Sequence, residues 1–311
     1  MIIQLVVLLI GLGIISYASE RVVTCSTHIA HKFKLPPLII GVLLISVGTD
    51  IPEIANSVFS SYSDYGDINV GNALGSCLTQ ITLVLGLVTL LGGTIKAHRK
   101  NILVLGGCVT LAALLASIVV LDGELTRIDA AILILSYIIL LGISIKFTTG
   151  EYGKKEVDLS CSKHGTVVTF IRLVFGLVFV IIGSVIVVES AIELSNVIGL
   201  PEFFVSFFVI AIGTSLPELS VELAAIRKKN YGLAVGDLMG SNITDATLAL
   251  GIGPLLFPTE INSGIIAPLA FYLIIASILV VSMFAWRKKI DKYAAILCIG
   301  IYLFSLVFAY H

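Results

Sequence analysis

Apolar residues run along this chain in stretches of about 18 to 25, long enough to cross a bilayer as helices. Short polar or glycine- and proline-bearing segments close each stretch. The pattern predicts ten spans, at 2–20, 38–61, 69–91, 101–121, 127–147, 167–187, 203–226, 233–256, 264–285 and 292–310. With 58% hydrophobic and 13% charged residues, and a mean hydropathy of +1.09, an ordinary soluble domain is excluded. The first stretch has neither a basic leader nor a small-residue cleavage site before Arg21, so it reads as a retained span.

Charge adds a direction. Of the 19 Lys and Arg, all but Arg127 fall on connections that ten spans place on one face. These include Arg21, Lys32, Lys96, Arg99, Lys146, Arg172, Arg227, Lys228, Arg287 and Lys292. Basic residues accumulate on the cytoplasmic side, so both termini are expected outside, in a multi-pass cell-membrane protein. The basic runs therefore read as topology determinants, not as nucleic-acid sites. Five scattered cysteines without a CxxC read as buried small residues. His28 and His31 stand one turn apart but have no further metal-ligating partner in the sequence.

The chain also repeats itself. Gly48-Thr49-Asp50-Ile51-Pro52-Glu53 returns 165 residues later as Gly213-Thr214-Ser215-Leu216-Pro217-Glu218. Gly71 to Ser76, continuing to Gln80, returns at the same offset as Gly236 to Ser241, continuing to Asp245. Leu35-Pro36 and Leu200-Pro201 keep the offset as well. The halves are residues 1–147 and 167–311, joined by a polar linker at 148–166. A unit of five spans is odd, so the second copy enters the membrane from the opposite side. The expected fold is therefore all-α, with ten transmembrane helices in two inverted five-helix repeats. Such folds commonly bind their ion where the repeats meet near the midplane.

The motifs carry the chemistry. Proline within a helix lacks an N–H and pushes away the carbonyl four residues back. That carbonyl belongs to Gly48 for Pro52 and to Gly213 for Pro217, so each segment is expected to be a broken helix at the membrane centre. Thr49 with Glu53, and Thr214 with Glu218, stand one turn apart on one face. Each break thus offers carbonyls, a hydroxyl and a carboxylate, hard oxygen ligands that suit calcium and also sodium. Gly71 with Gly75, and Gly236 with Gly240, form small-residue faces for close helix approach. Ser76 with Gln80, and Ser241 with Asp245, then share a face. Asp50, Glu53, Glu218 and Asp245 would together cost roughly 10 kcal/mol on insertion scales without a cation or proton. For Glu222 and Asp237 two readings stand: lining an access path, or pairing with Lys228 or Lys229.

The two Gly-Thr-(Ser/Asp)-x-Pro-Glu and Gly-Ser-(Asn/Cys)-x-x-(Asp/Gln) segments resemble the alpha-repeats of the calcium/cation antiporter superfamily, and prokaryotic sodium/calcium exchangers in particular. The resemblance covers the whole chain. It implies that Glu53 and Glu218 hold calcium and share in sodium binding. It further implies Thr49, Thr214, Ser76, Ser241, Gln80 and Asp245 as ligands, with Ser215 and the carbonyls of Ser46 and Ala211. Three positions depart from the pattern. Asp50 stands where Ser is common, Gln80 where Asn or Asp is common, and Asp237 where Asn is common.

The expected function is secondary active exchange of Ca2+ for Na+ by alternating access, with no cofactor and no catalytic role. No GxxxxGK[ST] occurs to bind a nucleotide, so an ion gradient supplies the energy. Ca2+/H+ exchange through Asp50 or Asp245, or coupling to K+, is the sibling reading. An intramembrane aspartyl protease is a remote one: Ala234-Val235-Gly236-Asp237 approaches a GxGD motif but lacks its first glycine, and the chain has no Tyr-Asp. A passive channel is the other rival, against which inverted repeats with broken helices weigh.

Overall fold

Helices account for almost every described residue of the computed structural model, the described residues being 2–148, 165–198 and 215–309. The first span is α1 (Ile2–Lys32). The second is broken: α2 (Pro37–Ile40), a π-turn at Gly41–Ile45, α3 (Ser46–Thr49) and then α4 (Ile51–Tyr62). The third comprises α5 (Gly66–Thr79), a π-turn at Gln80–Val84 and α6 (Leu85–Gly92). Then follow α7 (Arg99–Val119) and α8 (Arg127–Phe147).

The second repeat matches the first. It opens with α9 (Thr166–Ile198) and resumes at α10 (Leu216–Arg227), the second half of the expected seventh span. The eighth span is α11 (Tyr231–Thr244), a π-turn at Asp245–Ala249 and α12 (Leu250–Leu256). Last come α13 (Ser263–Arg287) and α14 (Lys292–Ala309). Residues 149–164 of the linker and residues 199–214, with Thr214, Ala211 and the first half of the seventh span, lie outside the described residues, and Thr166 already begins α9.

Four two-residue strands, which hydrophobic pattern alone does not predict, establish the inversion. They are β1 (Ile95–Lys96), β2 (Glu124–Leu125), β3 (Thr259–Glu260) and β4 (Lys289–Ile290). Strand β1 pairs antiparallel with β4, and β2 with β3. Since β1 and β2 flank α7, the two ribbons lie at opposite faces. The repeat offset carries β1 onto β3 and β2 onto β4, so corresponding loops occupy opposite faces. The repeats are inverted.

The β1–β4 ribbon carries Lys96 and Lys289, with Arg99, Arg287 and Lys292 close by in sequence. Asp291 bonds the Ala294 N–H and pairs with Arg287 and Lys289 in the turn before α14. The N–H bond, then Arg287, holds its carboxyl below the usual range. At the opposite ribbon stand Glu124, Glu260 and Arg127.

Burial separates central from peripheral helices. The most apolar window of Gly66–Gly92 is 78% buried, against 22% for Arg127–Phe147. Helix α8 exposes Ile128, Leu135, Ile138 and Ile139. A helix that is apolar on every side needs a membrane around it. Along the core, α11 meets the first half of span two nearly backbone to backbone. A Cβ at Gly41 would lie 2.5 Å from the Leu233 carbonyl, and one at Gly240 would lie 2.8 Å from Ser46 Oγ. This is the close approach expected of Gly236 and Gly240. For Gly71 and Gly75 no described atom lies within 4 Å of such a Cβ. The counterparts of Leu38, Val42 and Ser46, which Gly236 and Gly240 pack against, are positions 203, 207 and 211, outside the described residues.

Candidate cation site

The break in span two falls at Asp50, two residues later than the Gly48 carbonyl suggests. Pro52 sits in the first turn of α4, where a missing N–H costs nothing. The helix can therefore end at Thr49, turn at Asp50 and restart at Ile51, bending by 44°. Asp50 has φ −80° and ψ 4°, and its counterpart Ser215 has φ −87° and ψ 8°. The same turn thus precedes both proline-bearing helices. Glu53 and Glu218 consequently occupy the first turns of α4 and α10, the helix ends that favour negative charge.

These turns bring distant residues together. Oxygens of Asp50, Glu53 and Glu218 all lie within 4.8 Å of one another, and all three residues are buried. Beside them the two third-helix equivalents cross. Gln80 Nε2 donates to Asp245 Oδ2 at 3.0 Å, and Cys77 Sγ contacts the Asn242 carbonyl at 3.5 Å. In each pair a residue touches its own counterpart in the other repeat. Such contacts form only on the axis relating the repeats, so Gln80 and Asp245 lie on it. Both begin π-turns, distortions frequent at functional sites.

Of the remaining expected ligands, Ser46, Thr49, Ser76, Ser215 and Ser241 are all buried. Thr49 Oγ1 donates to the carbonyls of Ile45 and Ser46, and Ser46 Oγ to that of Val42. The Ser46 carbonyl also accepts the Asp50 N–H at 2.9 Å. It would need to use a remaining lone-pair direction to reach an ion. Asn242, not singled out by the sequence, donates to Gln80 Oε1 at 3.2 Å and fixes the amide's orientation. Its place in the Gly-Ser-Asn motif was the available signal.

The electrostatics are one-sided. Among the described residues six carboxylates are buried, namely Asp50, Glu53, Glu218, Glu222, Asp237 and Asp245, yet no Lys, Arg or His is. Ser241 Oγ, Ser215 Oγ and one oxygen of Asp245 lack a hydrogen-bond partner among the described residues. At about 2.5–3.5 kcal/mol each on insertion scales, the carboxylates would cost roughly 15–20 kcal/mol. That exceeds the stability of a typical domain. Cations or protons must neutralise part of this charge. The ligand atoms are hard oxygens, the set that calcium takes at 2.3–2.6 Å.

The family described as "Sodium/calcium exchanger protein" matches residues 3–146 and 168–311. An uncharacterized membrane protein of Methanocaldococcus jannaschii is 33% identical over 302 residues, covering 96% of this chain and 95% of its own. The inner membrane protein YrbG of Escherichia coli is 30% identical over 300 residues, with 93% and 90% covered. The sodium-calcium exchanger NCX_Mj, soaked with zero Na+ and Ca2+, superimposes with a TM-score of 0.82 at 31% identity, over 99% of both chains.

Proposed function

The chain belongs to the sodium/calcium exchanger family, and from that premise we propose that it exchanges Ca2+ for Na+ across the cell membrane by alternating access. The observation that carries the reading is the buried Asp50, Glu53 and Glu218 cluster, assembled from both repeats at their shared axis. Calcium is held by Glu53 and Glu218, with Asp50 as a third carboxylate. Thr49, Thr214, Ser76, Ser215 and Ser241 supply hydroxyls, Ser46 and Ala211 carbonyls, and Gln80 with Asp245 the axial polar pair. Sodium competes for the same oxygens.

The carboxylates also account for coupling. With no cation bound, three negative groups would stand within 4.8 Å of one another, and each pair would repel by about 3.5 kcal/mol at an effective dielectric of 20. An empty site is therefore costly to carry across. Calcium leaves in favour of sodium, not in favour of nothing, and exchange is obligatory.

Residues 1–147 and 167–311 form the two repeats, and 148–166 link them. The basic face is cytoplasmic and both termini are outside. The transported ions are the only ligands, and the protein moves them without transforming a substrate.

The test is calcium-45 uptake into proteoliposomes under a single imposed gradient of Na+, K+ or H+. Uptake should follow the Na+ gradient alone. Equal uptake without any counter-ion would indicate a channel, and uptake driven by H+ or K+ would replace sodium as the coupling ion.

A further inference from the structure

Two of the six buried carboxylates lie away from the central cluster, and the exchange reading does not use them. Glu222 is one turn beyond Glu218 on α10, and Asp237 is two turns before Asp245 on α11. The two helices are antiparallel neighbours joined by a turn at 228–230. Counting 1.5 Å per residue from that turn, Glu222 and Asp237 sit at one level, about 9–10 Å in. Glu218 and Ser241 share the next level, about 6 Å deeper. The helix pair thus carries oxygen on successive rungs, from the basic face to the centre.

These rungs are not packing features or ion pairs. Glu222 is 1% exposed and Asp237 0%. Among the described residues, both Asp237 oxygens, one Glu222 oxygen and the neighbouring Ser241 Oγ lack a hydrogen-bond partner. Asp237 is the foremost charged neighbour of Glu222, Glu218 is the next, and among the described residues no cation acts on either group. Lys228 is drawn elsewhere, donating to the Glu20 carbonyl and Thr24 Oγ1 on α1.

The other repeat lacks this charge. The counterpart of Glu222 is Ser57, whose hydroxyl accepts the Gly253 N–H at 3.1 Å and so joins α12 to α4. The counterpart of Asp237 is Asn72. These two positions thus carry carboxylates in one repeat and neutral side chains in the other.

We propose that Glu222 and Asp237, with the Ser241 hydroxyl one rung deeper shared with the central cluster, form a second calcium-binding station, between the basic face and that cluster. Two carboxylates match the charge of one divalent ion, and hard oxygens its preference. An ion arriving from that face rests there before passing inward to Glu218, a handover the opposite side does not offer. Naming calcium as occupant rests on the exchange reading.

The experiment is equilibrium binding of calcium-45 to the purified full-length protein in sodium-free detergent solution. Wild type should bind two ions per chain. Glu222→Gln with Asp237→Asn should bind one, and Glu53→Gln should keep one, held at the station. The two single variants, each checked for monodisperse elution, guard against misfolding of the pair. In oriented proteoliposomes, the double variant should raise the half-saturating calcium concentration at the basic face at least tenfold and leave the other face unchanged. One ion in both wild type and the double variant would overturn the station while leaving exchange standing. No calcium bound to wild type would overturn both.

Discussion

Replacing Asp50 by asparagine tests the electrostatic account of the central cluster. The amide keeps the side chain's size and removes one charge. Asp50 takes part in two of the three carboxylate pairs closer than 4.8 Å, so about 7 kcal/mol of empty-site repulsion is at stake at an effective dielectric of 20. Water or a bound proton relieves part of this in the wild type. The expected effect is a calcium affinity reduced at least tenfold, which corresponds to about 1.4 kcal/mol. The signs of the two states differ. The empty protein loses a repulsion and becomes more stable, whereas the calcium-loaded protein loses a ligand. Thermal unfolding in detergent, with chelator and across a calcium titration, reads both. Without calcium, Tm should rise by at least about 2 °C, and the calcium-induced increase should shrink. An unchanged calcium-free Tm together with an unchanged calcium response would refute the reasoning, because Asp50 would then bear no charge at the site.

Glu53→Gln and Glu218→Gln should each abolish sodium-driven calcium-45 uptake at normal expression, and near-normal flux in either would remove that residue from the site. Gly236→Ala should destabilise by about 1–3 kcal/mol, because its Cβ would run into the Leu38 carbonyl. Gly142→Ala, with open space on α8, should be neutral or stabilising, and equal Tm values for the two variants would contradict the packing. In a cysteine-free background, Lys155→Cys and Lys228→Cys should resist an impermeant thiol reagent outside intact cells while Asn262→Cys reacts. The reverse pattern would invert the orientation.

Much of the fold is legible one residue at a time. The bilayer leaves no choice but helices or a closed barrel, so apolar runs locate the spans, although α1 and α9 continue past positions 20 and 187 to Lys32 and Ile198, and an ungapped repeat of odd span number dictates inversion. Pro52 and Glu53 likewise announce a broken, charged helix wherever the rest of the chain lies. Even so, the break falls at Asp50 and not at Gly48, because a proline placed in the first turn of α4 has no carbonyl to displace. Three further features depend on what stands beside each segment. The π-turns at Gln80 and Asp245 are one. The contact of Cys77 and Gln80 with their own counterparts 165 residues away is another. The third is Lys228, which the sequence leaves free to pair with Glu222 but which bonds to α1 instead. A sequence states spacing along one chain, and spacing determines which residues share a helix face. The distance between two such faces depends on how closely helix backbones approach, as at Gly41 and Gly240, and only the packed structure decides that.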